Sequence, residues 1–501
     1  MRSPDYPQSR NARIKWVKTL TLIFCFLIIP GILLLLTWIA PASAQTPKHY
    51  DELTFEPLPE LQFPEYQRQV LANGMTVYLM EDHDLPLVGG QAWIKTGSRL
   101  EPSDKVGLAS ITGEVVRSGG TTQHPADDLN QLLEQKAASV EVSVGESSGQ
   151  ASFSVLKEDL NTVFGLFAEV LRSPALPADK IELSKNQRVG AIQRRNDDPE
   201  AIGRREFRRL IYGQSSPYSR IQEYDSLNAI TRKDIQGFYD EYFQPNRIIL
   251  GLVGDFDSAE MLALVNQYFG DWPSTDDAVV NLPEVSPAQI GGTFLVDQPQ
   301  LTQSSIQIGH LGGQLDEPDV FPLYVMNEIF NSFGGRLFNE VRSRLGLAYS
   351  VYGVWSPRYD YPGLFISGGQ TRSEATVPFV QSVKGEIEKL RESPVTNAEL
   401  SQAKDAILNS FVFNFDRPGK VLTRLMRYDY YGYPEDFIFK YQKAVKATTA
   451  QDILDAAQRN LKPENLVTLV VGNKNGIQPD LSQLDSNYQT LDVSIPPPSN
   501  T

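Results

Sequence analysis

The sequence predicts a mixed α/β (α+β) chain built from one unit used twice, and three observations carry that expectation. Short runs of alternating or continuous apolar residues, bounded by turn signals, read as strands, and they alternate with longer helical patterns. The stretch "ITRKDIQGFYDEYFQPNRIILGLVGDFD" returns near the end of the chain as "TTAQDILDAAQRNLKPENLVTLVVGNKN", so that Asp234 and Gly254 reappear as Asp452 and Gly472 at an offset of 218. Other pairs keep nearly that offset, Glu101-Pro102 with Glu317-Pro318 and Gly119-Gly120 with Gly334-Gly335. Chance matches would not hold an offset nearly constant, so the chain is a duplication. Its 501 residues are in any case too many for one ordinary core.

Taken in order, residues 1–44 form a separate segment. Arg2, Arg10, Arg13, Lys15 and Lys18 face only Asp5, the apolar run from Leu20 to Ala40 follows, and Ala42 and Ala44 make an A-x-A signal ahead of Gln45. That order is a secretory signal peptide, and the run is also long enough to remain as a membrane anchor. Either way the body is expected to be exported, to the periplasm or the outer face of an inner membrane. The single cysteine, Cys25, lies inside this segment, which leaves no disulfide for the body. The net charge of −15 argues against nucleic acid and anionic lipid as main partners.

Residues 45–65 are Pro-rich and acidic, a linker. The first unit, 66–272, opens on a hairpin turning at Asn73-Gly74, then a strand "LVGGQAWIKTG" and a helix over 107–118. "EVSVGESSGQASFSVL" reads as a strand pair, and helices dominate from Lys157 to Phe243, interrupted near Pro174–Pro177, at Pro199 and at "YGQSSPYS". A buried strand "NRIILGLVGDFD" and a helix ending at Gly270 close the unit. Residues 273–291 are a Pro- and Asp-rich linker, 292–491 repeat the unit, and 492–501 are a polar tail.

The stretches "NGMTVYLMEDHDLPLVGGQAWIKTGSRLEPSDKVGLAS", "RRNDDPEAIGRREF", "FQPNRIILGLVGDFD" and "GGRLFNEVRSRLGLAYSVYG" resemble the insulinase/pitrilysin metallopeptidases, the inverzincins, in their two-domain processing-protease-like branch. The resemblance spans nearly the whole body. It implies two homologous domains, each a largely antiparallel sheet flanked by helices. In active members "GLA" is followed by H-x-x-E-H, whose two histidines share one helix face and grip zinc while the Glu activates water. A Glu on a later helix completes the ligand set.

Here the matching positions are Ser110, Gly113 and Glu114, and Gly190 (followed by Ala191) stands where the third ligand is placed. Every position of the metal site has lost its ligand, so no catalytic residue and no metal or other cofactor is assigned to this chain alone. The four histidines, His49, His83, His124 and His310, fall nowhere at ligand spacing and read as structural or surface residues. The second half keeps "EVRSRLGLAYS". In the family an Arg and a Tyr seven residues apart in this motif reach the active site of the facing catalytic half, and here they are Arg342 and Tyr349. A phenol donor and a rigid guanidinium suit an oxyanion or a peptide backbone. Taken without the family, the same two residues would be a surface ion pair and a packed strand residue.

The expectation is therefore a non-catalytic subunit of a heterodimeric zinc peptidase. A related partner would supply H-x-x-E-H and the zinc, and a peptide or unfolded polypeptide would be the substrate. Two rival readings stand beside it: a structural scaffold subunit of a membrane-associated complex, and a peptide-binding module without proteolysis.

Overall fold

Strand β1 (Gln67–Val70) turns back on β2 (Thr76–Glu81) through Asn73-Gly74, in antiparallel register with Gln67 opposite Leu79. Gly74 takes φ +87°, and a Cβ there would stand 2.8 Å from the Cβ of Asn246, so the turn requires glycine twice over. This computed structural model describes residues 62–275, 282 and 284–498. The leader 1–44, most of the linker 45–65, residues 276–281 and 283, and the last three residues of the tail lie outside them. Among the described residues no helix is long and apolar enough to cross a membrane.

The first half continues with β3 (Leu87–Ile94), α1 (Leu108–Ser118), α2 (Ala126–Gln135), β4 (Ser139–Val144), β5 (Gly149–Leu156), α3 (Leu160–Arg172) and α4 (Ala178–Gln193). Then come α5 (Pro199–Tyr212), α6 (Tyr224–Ala229), α7 (Arg232–Tyr242), β6 (Ile248–Gly254) and α8 (Ser258–Phe269). The second half comprises β7 (Thr293–Asp297), β8 (Gln303–Leu311), α9 (Val320–Asn331), a π-helical segment (Phe338–Arg344), β9 (Ala348–Ser356), β10 (Leu364–Arg372) and α10 (Thr376–Glu392). It ends with α11 (Asn397–Ser410), α12 (Pro418–Tyr431), α13 (Phe437–Ala447), α14 (Ala450–Asn460), β11 (Val467–Gly472) and β12 (Gln489–Thr490).

The duplication is visible in the sheets. The first is ordered β1-β2-β6-β3-β5-β4 and the second β12-β7-β11-β8-β10-β9. In both, the parallel pairs among the described residues sit beside the second strand, β2 with β6 in one and β7 with β11 and β12 in the other. The repeated sequence makes repeated local structure. Thr231 and Asp234 form a capping box at the start of α7, and Thr449 and Asp452 form the same box at the start of α14. Alternation along β4 and β5 buries Val140, Val142, Ala151 and Phe153 toward α1 and α3, while Glu141, Ser143, Gln150 and Ser152 face the other way.

The halves are joined by an exchange of helices. α5 leaves the first half and lays Ile202, Phe207 and Ile211 on Phe294, Val296, Val467 and Leu469 of the second sheet. Its counterpart α12 lays Val421, Leu422, Leu425 and Met426 on Tyr78, Met80, Trp93 and Ile249 of the first. All of these side chains are buried, and each contributes roughly 1.5–3 kcal/mol relative to exposure. Polar ties add specificity at the same seam: Arg99 pairs with Asp360 at 2.7 Å, and Glu146 accepts from both Arg208 and Tyr361. Residues 61–501 accordingly form one unit by internal contact.

Candidate functional site

The N-terminus of α1 is capped from a distance. Gly107, at φ +113°, and Ala109 donate their N–H groups to the two carboxylate oxygens of Glu101 at 3.0 and 2.9 Å. Burial raises the pKa of Glu101 while these bonds oppose the rise, and Arg220, whose own pKa burial lowers, donates to its carbonyl oxygen. The helix is thus pinned at the end that leads into the candidate metal positions.

Those positions are filled by other chemistry. Ser110 Oγ donates to Gly107 O at 3.0 Å and accepts from the Gln222 amide at 3.3 Å. Gly113 presses on the edge strand: a Cβ there would lie 2.6 Å from the N of Val144 and 2.9 Å from the C of Ser143. No side chain fits at the general-base position unless α1 lifts off β4. Glu114 Oε2 accepts from Ser184 Oγ and from Arg188 Nη2, both at 2.8 Å. Burial lowers the pKa of Arg188, with the charges of Glu114 and Glu101 opposing the shift. Gly190 faces the Arg194 guanidinium, whose nitrogens would be 3.8 and 3.9 Å from a Cβ. These residues do not fit a zinc ion, because the carboxylate that remains is neutralised by an arginine. Among the described residues no group of three or more His, Cys, Asp or Glu is placed to hold a metal.

Ser184, Arg188 and Gln222 are not singled out by the sequence. The first two are four apart on α4 and so share the face toward α1, but only the packing of α4 on α1 identifies that face. The histidines are accounted for singly. His83 bridges Asp255 and Glu81, and His124 Nδ1 meets Glu169 at 2.7 Å. His310 is 4% exposed; its Nδ1–H donates to Leu311 O and its Nε2 accepts from Lys462 N–H. His49 lies outside the described residues.

The second half's motif sits on an unusual turn. The sequence predicts a helix over 336–344, and the structure winds it more widely: from Phe338 to Arg344 it is a π-helix, in which Leu345 N–H reaches Glu340 O at 3.0 Å. Such wide turns recur at functional sites. Arg336, bound through two nitrogens to Glu399 at 2.7 and 3.2 Å, fixes its start and holds the Glu399 carboxyl down to about 2. Gly346 at φ +60° ends it, and β9 begins at Ala348.

Arg342 lies between two rings, 4.7 Å from the centroid of Phe338 and 4.8 Å from that of Tyr349. The ion pairs among the described residues do not include it. Tyr349 is 83% exposed, as is Phe333 beside Phe338 at 84%. The structure thus brings Arg342 and Tyr349 into contact on an open surface, and it adds Phe338, whose position four residues before Arg342 is the signal that a helix reading offers. Neither alternative of the isolated reading, an ion-paired Arg and a packed Tyr, describes them.

Two family models match the chain: "Insulinase (Peptidase family M16)" over residues 77–213 and "Peptidase M16 inactive domain" over 229–407. A Helicobacter pylori protein named a non-peptidase homolog, YmxG, is 24% identical over 399 residues, covering 79% of this chain and 91% of that one. A Bacillus subtilis protein named an uncharacterized zinc protease, also YmxG, is 22% identical and covers 72% and 86%. Among solved structures, a peptidase M16 inactive domain from Pseudomonas fluorescens superposes with a TM-score of 0.75 at 23% identity, covering 83% of this chain and 99% of that one. A protease from Helicobacter pylori superposes at 0.71 with 20% identity, covering 82% and 100%.

Proposed function

The chain belongs to the insulinase (M16) family of peptidases, and from that premise we propose that it serves as the non-catalytic subunit of an exported, heterodimeric zinc peptidase. A related chain with H-x-x-E-H supplies the zinc, and this chain supplies Arg342 and Tyr349 to a polypeptide substrate held there. The observation that carries the reading is the contrast between two sites on one molecule. Ser110, Gly113 and Glu114 are engaged by Gln222, β4 and Arg188 and Gly190 offers no side chain, whereas Arg342 is held between two rings on an exposed surface with its donors uncommitted. The name of the Helicobacter pylori relative supports the first half of that contrast. The cationic and apolar leader supports export.

Two measurements test the reading. The dialysed chain is expected to hold no stoichiometric zinc, and about one tightly bound zinc per chain would overturn the assignment of a lost metal site. In the mixed complex Tyr349→Phe is expected to leave assembly intact and to lower kcat by about 10²-fold, the scale for removing one oxyanion donor. Arg342→Ala is expected to weaken turnover as well, while Glu114→Gln leaves it nearly unchanged. Full activity in both motif variants would reduce Arg342 and Tyr349 to surface residues.

A further inference from the structure

Two grooves meet on the face of the first sheet that α1 and α3 leave bare. One, of about 1070 Å³, runs between the β2–β3 connection and the length of α12; the other, of about 510 Å³, lies over β3, β5 and β4. Gly89, Gln91 and Val253 line both, so the two form a single trough.

The wall supplied by α12 is cationic. Arg417, Lys420, Arg424 and Arg427, spaced three, four and three apart, share one side of the helix and all line the trough. They are sparsely satisfied. Lys420 pairs with Asp416 at 2.8 Å, while no ion pair among the described residues involves the other three. Arg424 donates to the Asn414 side-chain carbonyl at 2.6 Å and keeps a buried Nε without an acceptor. Arg427 rests over the Trp93 ring at 5.4 Å.

The duplicated helix shows what the fold itself asks for at this place. α5 begins Asp198-Pro199, and the Asp198 carboxylate caps the N–H of Glu200. α12 begins Asp416-Arg417-Pro418, with Arg417 at the cap, no side-chain cap bond, and Asp416 turned to Lys420. A cation at a helix N-terminus opposes the helix dipole. Stability alone therefore does not account for the exchange of an acid for an arginine, in a chain whose net charge is −15.

We propose that this trough binds an extended acidic polypeptide segment. Its carboxylates meet Arg417, Lys420 and Arg424, and its apolar side chains rest on Leu85, Leu87 and Phe413, which are 60, 43 and 64% exposed. Asp82 and Asp84 on the β2–β3 connection and Glu141 on β4 keep negative groups to the α12 side. The combined trough exceeds what a single small anion fills, which favours a chain as occupant. This site needs neither zinc nor a partner subunit, so it stands or falls independently of the role assigned to Arg342 and Tyr349.

The test is fluorescence anisotropy on the chain alone, with a labelled peptide alternating Glu and Leu and a Lys–Leu counterpart. The Glu–Leu peptide is expected to bind and the counterpart not to, with affinity falling as salt rises. Arg417→Glu with Lys420→Glu should weaken binding at least about tenfold, because two attractive charges become two repulsive ones. Arg417→Glu alone, at an exposed position, should show part of that loss if the double variant melts early. Lys233→Glu, on α7, should leave binding unchanged. Equal affinity in the α12 variants, or no binding of the acidic peptide, would sink the proposal. So would displacement by inorganic phosphate where sodium chloride of equal ionic strength has no effect, since the occupant would then be a small anion.

Discussion

Glu114 shows at the scale of one residue how a ligand position is reused. Glu114 holds a position that the family resemblance assigns to a metal ligand, and its partly exposed carboxylate is met instead by Arg188 from the neighbouring helix, since a charge leaving water needs a partner. His310 obeys the same rule by a different route. It is buried and neutral, with one ring nitrogen donating and the other accepting, and burial lowers its pKa below the usual 6.5. A depressed pKa contributes stability that is present above 6.5 and is lost as pH falls through the folded-state value. His83 works in the opposite sense. Its bond to Asp255 raises its pKa, so its share is present below 6.5 and fades as pH rises. We expect His310→Gln to lose less unfolding free energy in urea, or gain more, than the native chain as pH falls from about 7.5 to about 5.5, the difference reaching at most about 1.4 kcal/mol per pH unit for one proton. An identical pH slope in both would show that folding does not shift the His310 pKa.

At the scale of an element, α1 and α7 make opposite predictions from the same substitution. Alanine at a helical glycine ordinarily stabilises by about 0.5–1 kcal/mol through propensity. Gly237 in α7 is exposed, and nothing lies within 4 Å of the place its added methyl would take, so Gly237→Ala should raise the thermal midpoint. In α1 the Cβ of Gly113→Ala would meet the backbone of β4 at 2.6 Å, and overpacking of this kind costs about 1–3 kcal/mol. The clash outweighs the propensity, and Gly113→Ala should lower the midpoint. If both variants were stabilised, α1 would be free to lift from β4, and the general-base position would be open to repair.

The whole molecule is held by the exchange of α5 and α12. Each half alone would expose the apolar face of the helix it lends and the sheet face that helix covers, residues that are otherwise buried. We expect residues 66–272 and 292–491 to be insoluble or molten when expressed separately. Expressed together, or cut at a protease site placed within 273–291, they should co-elute as one folded species on size exclusion. Separation of the cut halves into two folded monomers would show that the exchanged helices contribute little.

The duplication and the strand and helix segments follow from the sequence itself, because periodicity and turn signals act over a few residues or repeat at a fixed offset, and the absence of zinc ligands at Ser110, Gly113, Glu114 and Gly190 is read there through the family resemblance. Arg342 and Tyr349 are legible there through a motif, but not the contact by which the Phe338 and Tyr349 rings hold the guanidinium. The destination of α5 and α12, the Arg188 guanidinium on Glu114, the pressure of Gly113 on β4 and the wide winding of Phe338–Arg344 were decided by the tertiary structure. The reason is physical. An amphipathic helix specifies that one face must be buried, but both sheets of a duplicated chain offer nearly the same apolar surface, and only the three-dimensional path of the chain selects between them.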